Sequence, residues 1–204
     1  VGGLDKSHRQ VWIRERIRDL ISLFAIEAID FAIIDNQFHV ILRNRPDLAK
    51  ILTPQEVIRR WYRLSRASLE LKVEIDETQL KKLAARRRWV DELRRRLSSI
   101  SWFMIMLKEP IARAANAEDG VRGHFFGERF QSVELVDGEQ TLITSLHLNS
   151  LPKRLGLAND LAGSRFTALY ERCNGEGEWL ASDLATGTQQ ATGTQQATGT
   201  QQAT

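Results

Sequence analysis

Ile26-Glu-Ala-Ile-Asp-Phe-Ala-Ile-Ile-Asp-Asn-Gln-Phe-His-Val-Ile-Leu-Arg43 is the stretch that decides the fold. Its first half, Ile26 to Ile34, is rich in β-branched and aromatic residues and predicts a strand. Asp35-Asn36 is a turn signal and Gln37 to Arg43 predicts a second strand, so the two should form a hairpin. Alternate residues of a strand share a face. Phe38, Val40 and Leu42 therefore point into a core, while Gln37 and His39 point together to the other side. Two polar side chains on one face of an apolar strand look like half of a metal or proton-transfer site. The competing reading is a half-buried histidine bonded to a neighbour, and from spacing alone that reading is the stronger.

Helices are expected on either side of the hairpin. Upstream, Val11, Trp12, Ile13, Ile17, Leu20, Ile21 and Phe24 recur at helical spacing over residues 8 to 24, with Arg14, Glu15, Arg16, Arg18 and Asp19 between them. Downstream, Thr53-Pro54-Gln55-Glu56 has the form of a helix start: Thr as N-cap, Pro at the first position, Glu closing a capping box. That helix carries Val57, Ile58, Trp61 and Leu64. Glu77 to Arg88 predicts another helix, and Trp89 to Ala117 a long one, with a stripe of Leu93, Leu97, Ile100, Phe103, Met104 and Leu107. Pro110 predicts a kink or break within it. Gly120, Gly123 and Gly127 mark a loop, and Phe130 to Val136 alternates as a strand. Asp137-Gly138-Glu139 starts a last helix that Pro152 ends.

The chain has 204 residues, 42% hydrophobic and 27% charged, enough for one domain with a real core. Its net charge is only +3, but Arg59 to Arg96 holds 13 basic residues against 6 acidic ones. Such a local excess suits an anionic partner, nucleic acid first; a solvated helical face is the equally weighted alternative. A single cysteine, Cys173, excludes a disulfide framework and a Cys-based zinc site, and fits a reducing cytoplasm. No apolar run approaches the roughly 18 residues of a membrane span, and the first residues lack the apolar core of a signal peptide. From Ala185 the hexad Ala-Thr-Gly-Thr-Gln-Gln repeats three times and closes on Ala203-Thr204. The repeat has no charge and no large apolar residue, and residues 174–204, which contain it, are expected to form a disordered tail.

Taken in order, several segments resemble one family. Phe31-Ala-Ile-Ile-Asp-Asn-Gln-Phe-His-Val-Ile-Leu-Arg43 resembles a strand ending in Asn-His-x-His-hydrophobic. Ser101-Trp-Phe-Met-Ile-Met-Leu-Lys-Glu-Pro-Ile-Ala-Arg-Ala-Ala-Asn116 resembles its long helix. Gly123-His-Phe-Phe-Gly-Glu-Arg-Phe-Gln-Ser132 resembles a Gly-x-Phe/Leu-Trp-x-x-Arg-Phe-x-Ser segment. Thr144-Ser-Leu-His-Leu-Asn-Ser150 resembles Ala-Tyr-Val-Asp-Leu-Asn-Pro, and Arg165-Phe-Thr-Ala-Leu-Tyr-Glu-Arg172 resembles a segment that follows it. The family is the REP-associated tyrosine transposases, single-tyrosine members of the HUH nuclease superfamily, and the resemblance covers about residues 8 to 173.

The resemblance implies an α+β, ferredoxin-like fold: an antiparallel sheet with helices on one face, here with a helical insertion at about 53–97. It implies a homodimer that binds hairpin and single-stranded DNA. The family reaction is metal-assisted attack of a tyrosine on a phosphodiester, which links the tyrosine to the 5′ phosphate and frees a 3′-OH. Two strand histidines and a polar residue four positions after the tyrosine hold the cation, Mg or Mn. The family's sheet also has a central N-terminal strand; where that strand is lost, an edge is exposed.

Carried over residue by residue, the metal set becomes Gln37, His39 and Asn149, and the tyrosine position becomes Ser145. The only tyrosines, Tyr62 and Tyr170, lie outside the motif. A phenol with a pKa of ~10 can be activated by a metal and can leave again on religation. A serine alkoxide is less acidic and its side chain is shorter. A neutral glutamine oxygen is also a weaker ligand than imidazole, so cation binding should be weak or lost. His147 is expected to face away from the site. Arg86, Arg87, Arg88, Arg94, Arg95, Arg122 and Arg129 are candidate phosphate contacts, with Trp89 as a stacking candidate. Trp61 and Trp102 should belong to the core. The sequence therefore points to a transposase-like DNA-binding protein that has lost cleavage. The alternatives are a domesticated hairpin-binding protein and an α+β scaffold unrelated to DNA.

Overall fold

In a computed structural model, residues 7–34, 37–67, 75–126, 130–182 and 192–197 are described. The hairpin forms as its sequence requires: β1 (Ile26–Ile34) pairs antiparallel with β2 (Gln37–Asn44), although the expected Asp35-Asn36 turn itself lies outside the described residues. A bulge between Ala28 and Asp30 adds one residue to β1. That extra residue breaks the alternation of faces. Ala28, Phe31 and Ile33 join the main core, while Ile29 and Ala32 belong to a second, smaller cluster.

The main core lies on one side of the hairpin. Phe38, Val40 and Leu42 of β2 reach it, as the alternation predicts. They meet α1 (His8–Leu23), whose Ile13, Ile17 and Leu20 are fully buried at helical spacing. Around them pack α3 (Pro54–Ala67), α5 (Arg87–Leu97) and α6 (Ile100–Asp119), while α4 (Glu77–Ala84) adds Leu80. Fully burying an aromatic side chain such as Phe31, Phe38 or Phe103 contributes about 1.5–3 kcal/mol. Trp61 and Trp102 meet edge to face at 5.4 Å and pack against this core. At its margin Arg9, with no exposed surface, pairs with Glu118 and Asp119, tying α1 to the end of α6.

On the opposite side lies α7 (Gly138–Arg154). Its Leu148 meets Ile29, Ala32 and Ile41 from the sheet and Leu135 from β3 (Gln131–Leu135). The molecule is α+β, but helices cover both faces, where the resemblance implies one. A sheet whose two strands bury both sets of alternating residues needs a layer on each side. Two short helices, α2 (Pro46–Ile51) and α8 (Ala168–Cys173), complete the elements together with a 3₁₀ turn at Gly177–Trp179.

Three local expectations change. The long helix breaks at Ser98-Ser99 rather than at Pro110, which lies inside α6. Proline removes one N–H and frees the carbonyl four residues back. That carbonyl belongs to Met106, and Arg16 Nε donates to it at 3.1 Å. Likewise α7 continues through Pro152 to Arg154, and Gly156, at φ 72°, closes it with Gly156 N–H bonded to Lys153 O. The tail does not begin at 174. Trp179 stacks on Phe31 at 5.4 Å, its indole N–H donates to Glu171 at 2.6 Å, and the Ala181 amide donates to Ala28 O.

Strand β4 (Thr192–Ala197) comes from the repeat and lies between β2 and β3, antiparallel to both, giving the order β1-β2-β4-β3. The outer edge of β2 is thereby covered. Residues 183–191 and 198–204, which belong to the expected tail, lie outside the described residues. No helix among the described residues is long and apolar enough to cross a membrane.

Candidate functional site

The face of β2 that carries Gln37 and His39 lies on the α7 side of the sheet. His39 stands opposite Ala32 and is 8% exposed; Gln37 stands opposite Ile34 and is half-buried. Burial, and next the charge of His147, push the His39 imidazole below its ordinary pKa. Its neutral form is the form that binds metals, and it is also the form any buried strand histidine adopts. Helical spacing predicts that His147 faces away. It is exposed and bonded to Arg154 at 2.9 Å, yet it stands close enough to His39 for its charge to act there.

α7 presents Thr141, Ser145, Leu148, Asn149 and Pro152 as its buried face. Asp137 fixes the start of this helix by accepting the Gln140 N–H at 2.7 Å. Ser145 and Asn149, one turn apart, do not turn to His39. Both bond Asp30 of β1: the Ser145 hydroxyl donates to its Oδ2, and the Asn149 amide donates to the same atom at 2.8 Å. The Asn149 side-chain oxygen accepts the Leu169 N–H of α8 at 2.9 Å. Arg172, also of α8, brings a charge to 3.9 Å from Asp30 and donates to Ile29 O at 2.6 Å. Asp30 is therefore a hub that ties α7 and α8 to the sheet.

Sequence reasoning misses Asp30. Its signal is a lone carboxylate in the middle of an apolar strand, a position such a group occupies only when it is bonded. The residue is fully buried, and burial raises its pKa above the ordinary value, against the opposing pull of Ser145, Asn149 and Arg172.

These bonds decide what Ser145 and Asn149 can do. A nucleophile needs a free oxygen facing substrate, but Ser145 is 4% exposed and its hydroxyl is committed to Asp30. The Asn149 oxygen that would ligate a cation carries a backbone bond instead. Among the described residues no group of three or more His, Cys, Asp or Glu side chains could hold a metal ion. Gln37 and His39 remain as donors on one strand, and the set does not fit a divalent cation, which needs more oxygen ligands in a fixed shell.

No protein-family model, curated protein or solved structure matches this chain.

The arginines differ in their surroundings. Arg86, Arg87 and Arg88 are exposed where α4 gives way to α5, and no ion pair forms to them among the described residues. They sit at the positive end of the α5 dipole, a position that disfavours cations unless an anion is near. Trp89, next to them, is 38% exposed. Arg94 is structural, since its Nη1 donates to Ala49 O and Leu52 O, both at 2.7 Å, and so closes the end of α2. Arg95 pairs with Glu92 at 2.9 Å, and Arg96 shares that carboxylate while lying 4.4 Å from the Trp102 ring. The two arginines hold Glu92 at about 2, well below the usual carboxylate range. Arg122 is exposed, and Arg129 lies outside the described residues.

Proposed function

We propose that this chain is a DNA-binding protein of the single-tyrosine HUH transposase type that no longer cleaves DNA. The carrying observation is Ser145. It stands at the position of the tyrosine in the resemblance, on the helix covering the face that bears Gln37 and His39, and its hydroxyl is bonded to Asp30. The position that should supply a nucleophile holds a helix against a strand. The ordered series of similar segments supports the family, and the exposed Arg86-Arg87-Arg88 cluster beside Trp89 supports an anionic, base-bearing partner. The reading carries a homodimer with it.

The test is binding of the purified protein to a labelled DNA hairpin and to a single strand over a range of salt. Binding that weakens steeply with salt is expected, with no covalent adduct on a denaturing gel after incubation with Mg²⁺ or Mn²⁺. A protein that ignores both DNAs at low salt would be an α+β scaffold with a basic helical arm. An adduct that disappears in Ser145→Ala would restore the serine as a nucleophile and overturn the loss of cleavage.

A further inference from the structure

Helix α7 carries large apolar residues on its outward side. A surface helix ordinarily turns such residues to the core and its polar residues to solvent. The buried face of α7 is mostly polar instead, with Thr141, Ser145 and Asn149 beside Leu148 and Pro152. Leu142, Ile143 and Leu146 are 46%, 58% and 64% exposed. Residues three and four apart are neighbours on a helix, so these three form one continuous stripe. Single exposed leucines are ordinary, whereas a contiguous apolar stripe marks a surface that meets a partner.

The charges bordering the stripe fit a second copy of the same helix. Glu139 lies seven residues before Leu146 and Lys153 seven after it, each about 10 Å away along the axis. At that spacing both share the face of Leu146. Both are exposed, and no ion pair forms to either among the described residues. Between them this face carries only Leu142, Ile143, Leu146 and Ser150, with no formal charge. An apolar stripe with an acid at one end and a base at the other is complementary to itself when reversed. Parallel pairing would set Glu139 against Glu139 and Lys153 against Lys153. Exposed apolar residues also bracket the helix, Val136 before it and Leu155 after it, and the same reversal brings one toward the other.

We infer that the outward face of α7 is a homodimer interface, in which α7 packs antiparallel to the α7 of a second copy across a two-fold axis at Leu146. A Glu139–Lys153 ion pair closes each end. The contact is isologous, since the same patch serves both copies. Helices packed in this way lie about 8–10 Å apart. α7 has 17 residues and is about 25 Å long. One such helix pair covers less than the roughly 800 Å² per partner of a standard interface, so the dimer forms at micromolar concentration. The pairing does not depend on DNA binding, and it gives the homodimer a surface.

Sedimentation velocity of the full chain, without DNA, tests it. The parent should pass from monomer to dimer as its concentration rises from about 1 to about 200 µM. Leu146→Glu sets two carboxylates on the axis and should raise the dimer Kd at least about tenfold. In dilute urea melts its midpoint should stay near the parent's, because the side chain is exposed in the monomer. Glu139→Lys and Lys153→Glu each bring like charges together at both ends, and each should weaken the dimer about fivefold. Combining them exchanges the two charges and should return Kd to within about twofold of the parent. That rescue belongs to the antiparallel register alone. A parent that stays monomeric throughout leaves the stripe to some other protein, and the inference fails. A dimer that Leu146→Glu leaves intact forms through another surface, and a combined variant no tighter than the single ones excludes this register; either result overturns the pairing.

Discussion

At the scale of the residue, Asp30 governs how α7 meets the sheet. The Ser145 hydroxyl and the Asn149 amide are its two side-chain donors. Ser145→Ala leaves a buried carboxyl with one of them, and a net loss of about 1–3 kcal/mol in a urea melt is expected. No loss would show that the hydroxyl contributes nothing to the hub. The carboxyl itself predicts a pH dependence. Below its ordinary pKa of 3.8 it is neutral in both folded and unfolded chains. As pH rises from there, the unfolded chain gives up the proton first, because burial raises the folded value. Stability from this group therefore declines with rising pH until the folded value is passed, and is constant above it. Asp30→Asn keeps an acceptor and abolishes the titration. The stability of Asp30→Asn relative to the parent should thus grow between pH 4 and pH 7 in parallel melts; a constant difference would show that Asp30 does not carry the shift. The same residue marks a limit of the sequence. Gln37 with His39, and Ser145 with Asn149, are legible as two same-face pairs, because strand alternation and helical spacing fix the faces they occupy, whereas only the resemblance joins one pair to the other. The true partner of Ser145 and Asn149 is not legible, because nothing local in Ile29-Asp30-Phe31 says which distant donors will reach it.

At the scale of the element, the boundaries that proline marks in the sequence move for a reason that lies outside the helix. Pro110 should break α6, and it does not because Arg16, on α1, supplies the hydrogen bond that proline removes from Met106 O. The two residues should be coupled. Arg16→Ala leaves the Met106 carbonyl without its donor, whereas in a Pro110→Ala background the helix provides its own N–H. A double-mutant cycle should give an interaction energy of about 0.5–3 kcal/mol, with the cost of Arg16→Ala smaller in the Pro110→Ala chain. Additive effects would show that Arg16 packs without repairing the helix. By contrast, the Thr53 cap is fully legible: Glu56 N–H bonds Thr53 Oγ1 at 3.2 Å, a contact contained within four residues. Its glutamate does not close the box, since it pairs with Arg60 at 2.8 Å instead.

At the scale of the whole molecule, the hairpin, the amphipathic helices and the face bearing His39 follow from periodicity alone. The layer formed by α7 and the strand formed by the repeat do not, because each depends on which surface remains uncovered after the rest has packed. The charge pattern is legible in part: composition locates the basic segment but cannot divide it. Packing divides it into Arg94, which closes α2, Arg95 and Arg96, which hold Glu92, and the exposed Arg86-Arg87-Arg88. The two kinds of arginine should separate in one experiment. Replacing Arg86, Arg87 and Arg88 with alanine should leave the urea midpoint near that of the parent. It should weaken hairpin binding and flatten the dependence of log K on log salt by about 0.7–0.9 for each phosphate no longer neutralised, or about 2–3 in all. Arg94→Ala should do the reverse: α2 loses its clamp, stability falls by about 1–3 kcal/mol, and the salt slope stays the same. If the triple variant keeps the parent's slope, these three arginines neutralise no phosphate, and Arg122 is the next exposed arginine to replace.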